Sequence, residues 1–474
     1  MDSSDLPFQT IVTLSSMINS REISPIEVTS AFLERISMVD PQINSYITVC
    51  ADQAMATAKV SEELLTRNKY LGPLHGIPYA IKDQFWAKGM PTTAGSKVMT
   101  NVLAPEDSTV VAKMNSAGTI LLGKLNLSEF ATGNSIVHPW GTPRNPWDLD
   151  RNPGTSSSGS GAATASFLCT ASIGEDTGGS IRGPANNCNL VGLRPTYGLV
   201  SRYGMLGASW SNDIGGPIAR TAEDAALILQ AIAGRDPKDP YTSNRTPPDY
   251  FTQLKVNTSG MTIGIIKEAM DASFVTDEVK DITKQTLSKF VDLGFSVTQV
   301  SIPLLKYTAA LNRIFIEVEA SHMHRRNLKS QSHKYDHNVR TDFFTGLVLP
   351  AQLYYKAQQI RELIRAQVRE ALDKVDVLAL PGCSDVPPLI DHQIGINSKE
   401  HAIERMTGRR TLNGTFNLAS IPALTFPSGF GTSTGRKLPV GFQIAGKPFS
   451  DGLLLSICHS YQQVTNWHKE KPPI

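Results

Sequence analysis

The sequence predicts an α/β protein built around a largely buried sheet. Two observations carry this expectation. Short apolar strands alternate with helical segments along the chain, the order typical of a sheet with helices packed on it. Hydrophobic residues make up 41% and charged residues 19%, which is a globular composition and not a disordered one.

The elements follow in order. Ser24-Pro25-Ile26-Glu27 supplies a capping serine, a proline at the first helical position and a glutamate three residues after the cap. Apolar Val28, Ala31, Phe32 and Ile36 then recur at helical spacing. After Gly72 we expect a strand at 77–81, a helix near 108–116 and a strand at 119–122. A second alternation places a strand at 262–266, a helix over 276–293 with Gly294 at its end, and a strand at 295–300. Buried strands at 375–380 and 440–444 come last, the latter followed by a helix from Asp451.

At 474 residues, length alone suggests about three domains of roughly 150 residues each. No linker-like segment and no repeat at periods of roughly 20–50 residues breaks the chain, so one domain over 1–474 is expected, opening with a helical segment at 1–70. Lys plus Arg is 45 against 43 for Asp plus Glu, a formal charge of +2, which argues against a nucleic-acid or anionic-membrane partner. The five cysteines (Cys50, Cys169, Cys188, Cys383, Cys458) form no CxxC pair and read as reduced thiols in a cytoplasmic protein. Met1-Asp2-Ser3-Ser4-Asp5 lacks the basic-then-apolar order of a secretory signal, and no stretch approaches the roughly 18 apolar residues of a membrane span.

The basic run from His322 to Lys334 reads as a solvated helix end and loop. His322 and His324 lie two apart, a spacing that does not suit one helical face, and there is no HExxH and no Cys/His quartet. No metal is expected.

Residues 154–184 carry the chemistry. Two glycine- and serine-rich stretches flank an alanine-rich run, Ala162 to Phe167, that reads as the first turns of a buried helix. A phosphate loop would need a lysine where Ser160 follows Gly159, so nucleotide binding is disfavoured. Close backbone packing accounts for Ala162, Ala163 and Thr164. It accounts poorly for Gly178-Gly179, where each glycine costs about 0.5–1 kcal/mol in regular structure. Acyl transfer explains the pair best: unhindered glycines ahead of Ser180 let consecutive backbone amides converge on a developing oxyanion. The loop holds no histidine, so the base comes from elsewhere.

Further blocks complete the pattern: Gly76-Ile77-Pro78-Tyr79-Ala80-Ile81-Lys82-Asp83, the stretch Asp213 to Thr221 with 191–204 before it, Asn417 to Ala423, and Leu438 to Gln443. In order and spacing, nearly end to end, the chain resembles the amidase-signature family, whose enzymes use a Ser–Ser–Lys triad. That resemblance implies a large mixed, mostly parallel twisted sheet covered by helices on both faces, with a catalytic core at 76–221 and a variable helical region at 300–370 shaping the substrate pocket. It makes Ser180 the nucleophile, Ser156 the bridging serine behind an unusual cis peptide, and Lys82 the base. It builds the oxyanion hole from Thr177, Gly178, Gly179 and Ser180. Ser157, Asp176 and Arg182 brace the loop, and Phe130 and Thr132 line the acyl pocket. The sequence departs from the family at Thr155, ahead of the bridging serine, and at Ser158-Gly159 after it.

As a base Lys82 must be neutral, whereas a free lysine has a pKa of about 10.4; burial away from carboxylates would lower it. Asp83 points to the opposite face of a strand and need not touch the amine. Neutral Lys82 then draws a proton through Ser156 as Ser180 attacks the carbonyl. The resemblance implies hydrolysis of linear amides, with esters or carbamates (urethanes) as further substrates, water as co-substrate and no cofactor. We expect a stand-alone monomer or homodimer acting on a small molecule, without nucleic acid or membrane. The alternative is the glutaminase A subunit of a tRNA-dependent amidotransferase, a reading kept open by Arg202-Tyr203-Gly204 and Trp467-His468-Lys469. Arg410 tells against it, because it stands where those subunits carry an acidic residue for the glutamine ammonium. Ile136 to Trp140, Trp210 and the 307–350 region, with Phe315, Phe343 and Phe344, are the expected pocket walls.

Overall fold

The computed structural model describes residues 2–132, 138–390, 395, 398–401, 403, 408 and 410–474. Eleven strands form one sheet: β1 (Tyr46–Val49), β2 (Pro78–Lys82), β3 (Ile120–Leu125), β4 (Ala171–Glu175), β5 (Val191–Arg194), β6 (Gly215–Ala219), β7 (Thr262–Ile266), β8 (Ser296–Val300), β9 (Val377–Pro381), β10 (Ala423–Gly431) and β11 (Leu438–Ala445). Their spatial order is β1-β3-β2-β4-β6-β5-β10-β11-β9-β7-β8. Helices pack against this mixed sheet, giving the expected α/β class.

Strand direction differs from the expectation. β2 runs parallel to β3 and β4, and β7 runs parallel to β8 and β9. The other neighbouring pairs (β1–β3, β4–β6, β6–β5, β5–β10, β10–β11 and β11–β9) are antiparallel, so the sheet is not mostly parallel. The physical reason is local. Strand–helix–strand crossovers force parallel pairing at the two flanks, whereas strands meeting across long sequence separations, or through the β10–β11 turn, carry no such constraint.

Each central strand is buried along its length, which is why it reads as an apolar run with no alternation. The expected boundaries hold to within a few residues. The Pro25–Ile43 helix opens on the capping box, with Ser24 Oγ accepting from Glu27 N at 3.1 Å and Ser24 N donating to Glu27 Oε2 at 2.8 Å. It buries Val28, Ala31, Phe32 and Ile36. Ser108 and Thr276 cap the Thr109–Ser116 and Asp277–Asp292 helices, and the last expected helix runs over Asp451–Val464.

The basic run falls on the last turns of the Thr308–Gln331 helix and the turn after it. His322, Arg325 and Arg326 face solvent, as expected of a solvated face, while His324 is turned inward. Among the described residues no helix is long and apolar enough to cross a membrane.

The alanine-rich run forms the Ser158–Ala165 helix, buried throughout. Its first turn lies so close to the chain around Ser45 and Asn126 that a Cβ on Gly159 would meet the backbone of both. Gly159→Ala is therefore expected to lower stability by about 1–3 kcal/mol, read as a fall in the urea midpoint at constant slope.

Candidate active site

β2 and β4 are parallel neighbours, so the loops that follow them emerge at the same end of the sheet. β2 ends on Lys82 and β4 on Glu175, and both side chains are fully buried. A buried amine needs partners for its protons. Lys82 Nζ donates to Ser156 Oγ at 2.7 Å and to Glu175 Oε2 at 3.1 Å. Ser156 comes from the loop that leads into the Ser158–Ala165 helix and is itself 1% exposed.

Asp83 keeps clear of this amine, as strand alternation requires: it pairs with Lys124 Nζ at 2.9 Å and accepts from Thr93 N at 2.8 Å. The expectation that Lys82 lies away from carboxylates is nevertheless wrong, because Glu175 on the adjacent strand reaches it. Burial lowers the pKa of Lys82, and Glu175 opposes that shift without reversing it.

The Asp176–Ser180 loop is folded around one carboxylate. Asp176 accepts from Gly179 N at 2.8 Å, Ile181 N at 3.2 Å and Asn417 Nδ2 at 2.7 Å. It also takes Arg182 Nε at 3.0 Å and Nη2 at 3.1 Å, with Arg194 Nη1 at 3.5 Å. Burial alone would raise its pKa, but the guanidinium groups of Arg182 and Arg194 hold the carboxyl well below the usual range. Gly179 has φ +114° and lies against Asn413, so the turn admits no side chain there. With its amide committed to Asp176, Gly179 drops out of the expected donor set. The amides of Thr177, Gly178 and Ser180 make no hydrogen bond among the described residues. Ser157 Oγ donates to the Glu175 carbonyl at 3.3 Å, tying the two serine loops together.

Ser180 is half-buried on the wall of a cavity of about 350 Å³. Thr132, Asn312, Arg313, Cys383, Asp385 and Asn413 share that wall. No hydrogen bond joins Ser156 to Ser180, so the structure links Lys82 to Ser156 but leaves the expected relay open at its last step. No peptide bond among the described residues is cis, so the cis bond expected ahead of Ser156 is absent.

Phe130 is not on the cavity wall. At φ +48° its ring is turned into a cluster with His324 (centroids 4.1 Å apart), Tyr335 (5.5 Å) and Phe343 (6.3 Å), while Ala131 and Thr132 face the cavity. Burial in that cluster pulls the His324 pKa down to about 4. The 307–350 region does reach the cavity, through Ala309, Asn312, Arg313 and Ile316, but not through the aromatics singled out in the sequence. Phe315 is core, Phe344 is largely exposed, and Trp210 stacks outside on Tyr241 and Arg202. Residues 136 and 137 and the side chain of Arg410 lie outside the described residues.

Sequence reasoning missed Glu175 and its neighbours. Glu175 Oε1 accepts from the Thr177 hydroxyl, which also lies 2.7 Å from Asp213 Oδ1. Burial first, then the Glu175 charge, push the Asp213 pKa well above the carboxylate range. A signal was present: an acidic residue closing an otherwise uncharged buried strand must find a cation, and Lys82 closes the neighbouring strand in the same way.

The Amidase family profile matches residues 27–455. The chain is 37% identical over 489 aligned residues to the A subunit of glutamyl-tRNA(Gln) amidotransferase from Marinomonas sp. (strain MWYL1), covering 98% of each. It superposes on the solved structure of the A subunit of glutamyl-tRNA(Gln) amidotransferase from Thermotoga maritima with a TM-score of 0.76 at 31% identity, over 95% of this chain and 94% of that one. Native peptide amidase from Stenotrophomonas maltophilia superposes with a TM-score of 0.83 at 28% identity, over 98% of each chain.

These relatives overturn the expectation of a stand-alone hydrolase without partner chains or nucleic acid, because those that match it end to end are named as one subunit of a tRNA-directed enzyme. The near-neutral charge bears only on what this chain binds by itself, and Arg410 was one position weighed against a likeness that spans the whole sequence. The chain belongs to the Amidase family, the amidase-signature enzymes, and acts on C–N bonds.

Proposed function

We propose that this chain is the A subunit of a tRNA-dependent amidotransferase, the component that cleaves the side-chain carboxamide of glutamine and supplies ammonia to a partner. The observation that carries this reading is the end-to-end likeness to proteins of that name at 36–37% identity. The cavity supports it. At about 350 Å³ it lies near the lower end of ligand sites, and its wall of Asn312, Arg313, Asp385 and Asn413 favours a small polar amide over a bulky aryl group. With 45 basic against 43 acidic residues the chain has little excess charge for holding tRNA, so we assign that contact to a partner chain.

In this reading Ser180 Oγ attacks the carboxamide carbon, and its proton passes through Ser156 to Lys82. The amides of Thr177, Gly178 and Ser180 stabilise the oxyanion, while the Asp176–Arg182 pair keeps their loop in shape. The proton returns to the leaving nitrogen as the C–N bond breaks, ammonia departs, and water hydrolyses the ester to glutamate by the reverse route. The gap between Ser156 and Ser180 closes when substrate is bound, as hydrogen bonds in unliganded active sites commonly tighten in the complex. Asp385 on the exposed rim meets the glutamine ammonium, and Arg313 on the facing wall meets its carboxylate.

The decisive measurement is ammonia release from glutamine by the purified chain, alone and with the subunits that co-purify with it. Ser180→Ala should reduce release by about 10³-fold or more. Release from simple amides with none from glutamine, in the presence of those subunits, would refute the reading.

The pH profile follows from Lys82. Burial lowers its pKa with Glu175 opposing, so kcat/KM should rise with pH along a limb centred below the free-lysine value of about 10.4. A flat profile from pH 6 to 10, with chemistry limiting, would remove Lys82 from the relay. Asp385→Asn should raise KM for glutamine by about tenfold with little change in kcat, the loss expected of one charged contact.

A further inference from the structure

Glu175 is placed where a lone-lysine base has no use for it. An anion beside a general-base amine favours the protonated form and so works against the base. Yet the carboxylate is wholly buried, lies 3.1 Å from Lys82 Nζ, and is held from its other oxygen by the Thr177 hydroxyl.

Thr177 has one proton and lies between two carboxylates, Glu175 and Asp213. Asp213 Oδ2 accepts from Ala208 N at 2.8 Å and Ser209 N at 2.9 Å, which leaves Oδ1 to carry a proton and donate it to Thr177 Oγ1. Thr177 in turn donates to Glu175. Other charges face this group from three directions: Lys82 from β2, Arg194 from β5, and Asp176 with Arg182 from its own loop. The result is a continuous chain of hydrogen bonds, Asp213–Thr177–Glu175–Lys82–Ser156, that ends at the serine loops.

We propose that Glu175 is a positioning residue that completes the base: as Lys82 takes a proton from Ser156, it passes one of its own to Glu175. The inference rests on the reading that Ser180 is the nucleophile. At rest the pair is an ammonium and a carboxylate. When Ser180 attacks, its proton moves to Ser156, the Ser156 proton moves to Lys82, and a Lys82 proton moves to Glu175 Oε2. Lys82 remains an ammonium, Glu175 becomes a neutral acid, and no unpaired charge develops inside the protein. Every transfer reverses when the leaving nitrogen is protonated, so protons balance over the cycle. Thr177, held by Asp213, keeps the carboxylate aimed at the amine throughout.

The test is Glu175→Gln in the full chain with its co-purifying subunits, alongside wild type, Glu175→Asp and Ser180→Ala. Two rates are read between pH 6 and 10: labelling of Ser180 by a fluorophosphonate, and kcat and KM for glutamine. The proposal expects Glu175→Gln to slow labelling and kcat by about 10²-fold or more at every pH while leaving KM nearly unchanged. Glu175→Asp, which keeps the carboxylate with a shorter reach, should recover part of the rate and the rising pH limb. Near-wild-type rates in Glu175→Gln, with the limb moved to lower pH, would make Lys82 the sole base and overturn the proposal. If the Gln variant does not fold, the Asp variant decides: a reduced rate with the limb retained supports the role, and a wild-type rate overturns it. Labelling of wild type but not of Ser180→Ala keeps the nucleophile assignment whatever Glu175 does, whereas unlabelled wild type overturns both.

Discussion

A lysine amine shut away from water has to be satisfied entirely by its neighbours, and the site is organised around that demand. Lys82 Nζ meets Ser156 at 2.7 Å and Glu175 at 3.1 Å, each delivered by a different loop at the same end of the sheet. Breaking a buried pair by deleting one partner costs about 3–5 kcal/mol, because the remaining charge is left uncompensated. The pair therefore also fixes the geometry: β2, β4 and the Ser158–Ala165 helix are held in one arrangement by the need to keep three polar groups in contact.

A second demand shapes the adjacent loop. Asp176 collects two backbone amides, Arg182, Arg194 and Asn417, and in doing so ties the end of β4 to β5 and to the Arg410–Ala419 helix. Donors aimed in advance are worth far more to an oxyanion than donors that must rotate into place. The same carboxylate that shapes the turn uses up one of the amides that sequence reasoning had assigned to catalysis.

Much of this was legible in the residues. Capping signals, strand runs and the Gly178-Gly179-Ser180 turn are local features, and the local structure follows them closely. What could not be read was relational. Strand direction depends on which segments meet across hundreds of residues, so six antiparallel pairings were missed. The partner of Lys82 depends on which strand lies beside β2. Asp83 attracted notice because it was adjacent in sequence, whereas Glu175 is adjacent in space. Phe130 likewise sits one position from the residues that face the cavity, and its positive φ turns the ring the other way. The likeness to whole relatives outweighed an argument from Arg410 alone, because one position in an uncertain register carries less than a match along the full length.

The middle of the sheet is stitched from segments far apart in the chain: β5 (Val191–Arg194) pairs on one edge with β6 and on the other with β10, whose residues Ala423–Thr425 lie some two hundred positions later. During synthesis on the ribosome, the nascent polypeptide holds both serine loops and the lysine long before β10 emerges. Until then one side of β5 exposes unsatisfied backbone groups, the kind of surface that invites aggregation and chaperone capture. Because the Asp176 cluster also recruits Asn417, the turn ahead of Ser180 stays incompletely braced over the same interval. Translation must run almost to completion before the enzyme can be switched on, which keeps a nucleophilic serine quiet while the chain is unfinished.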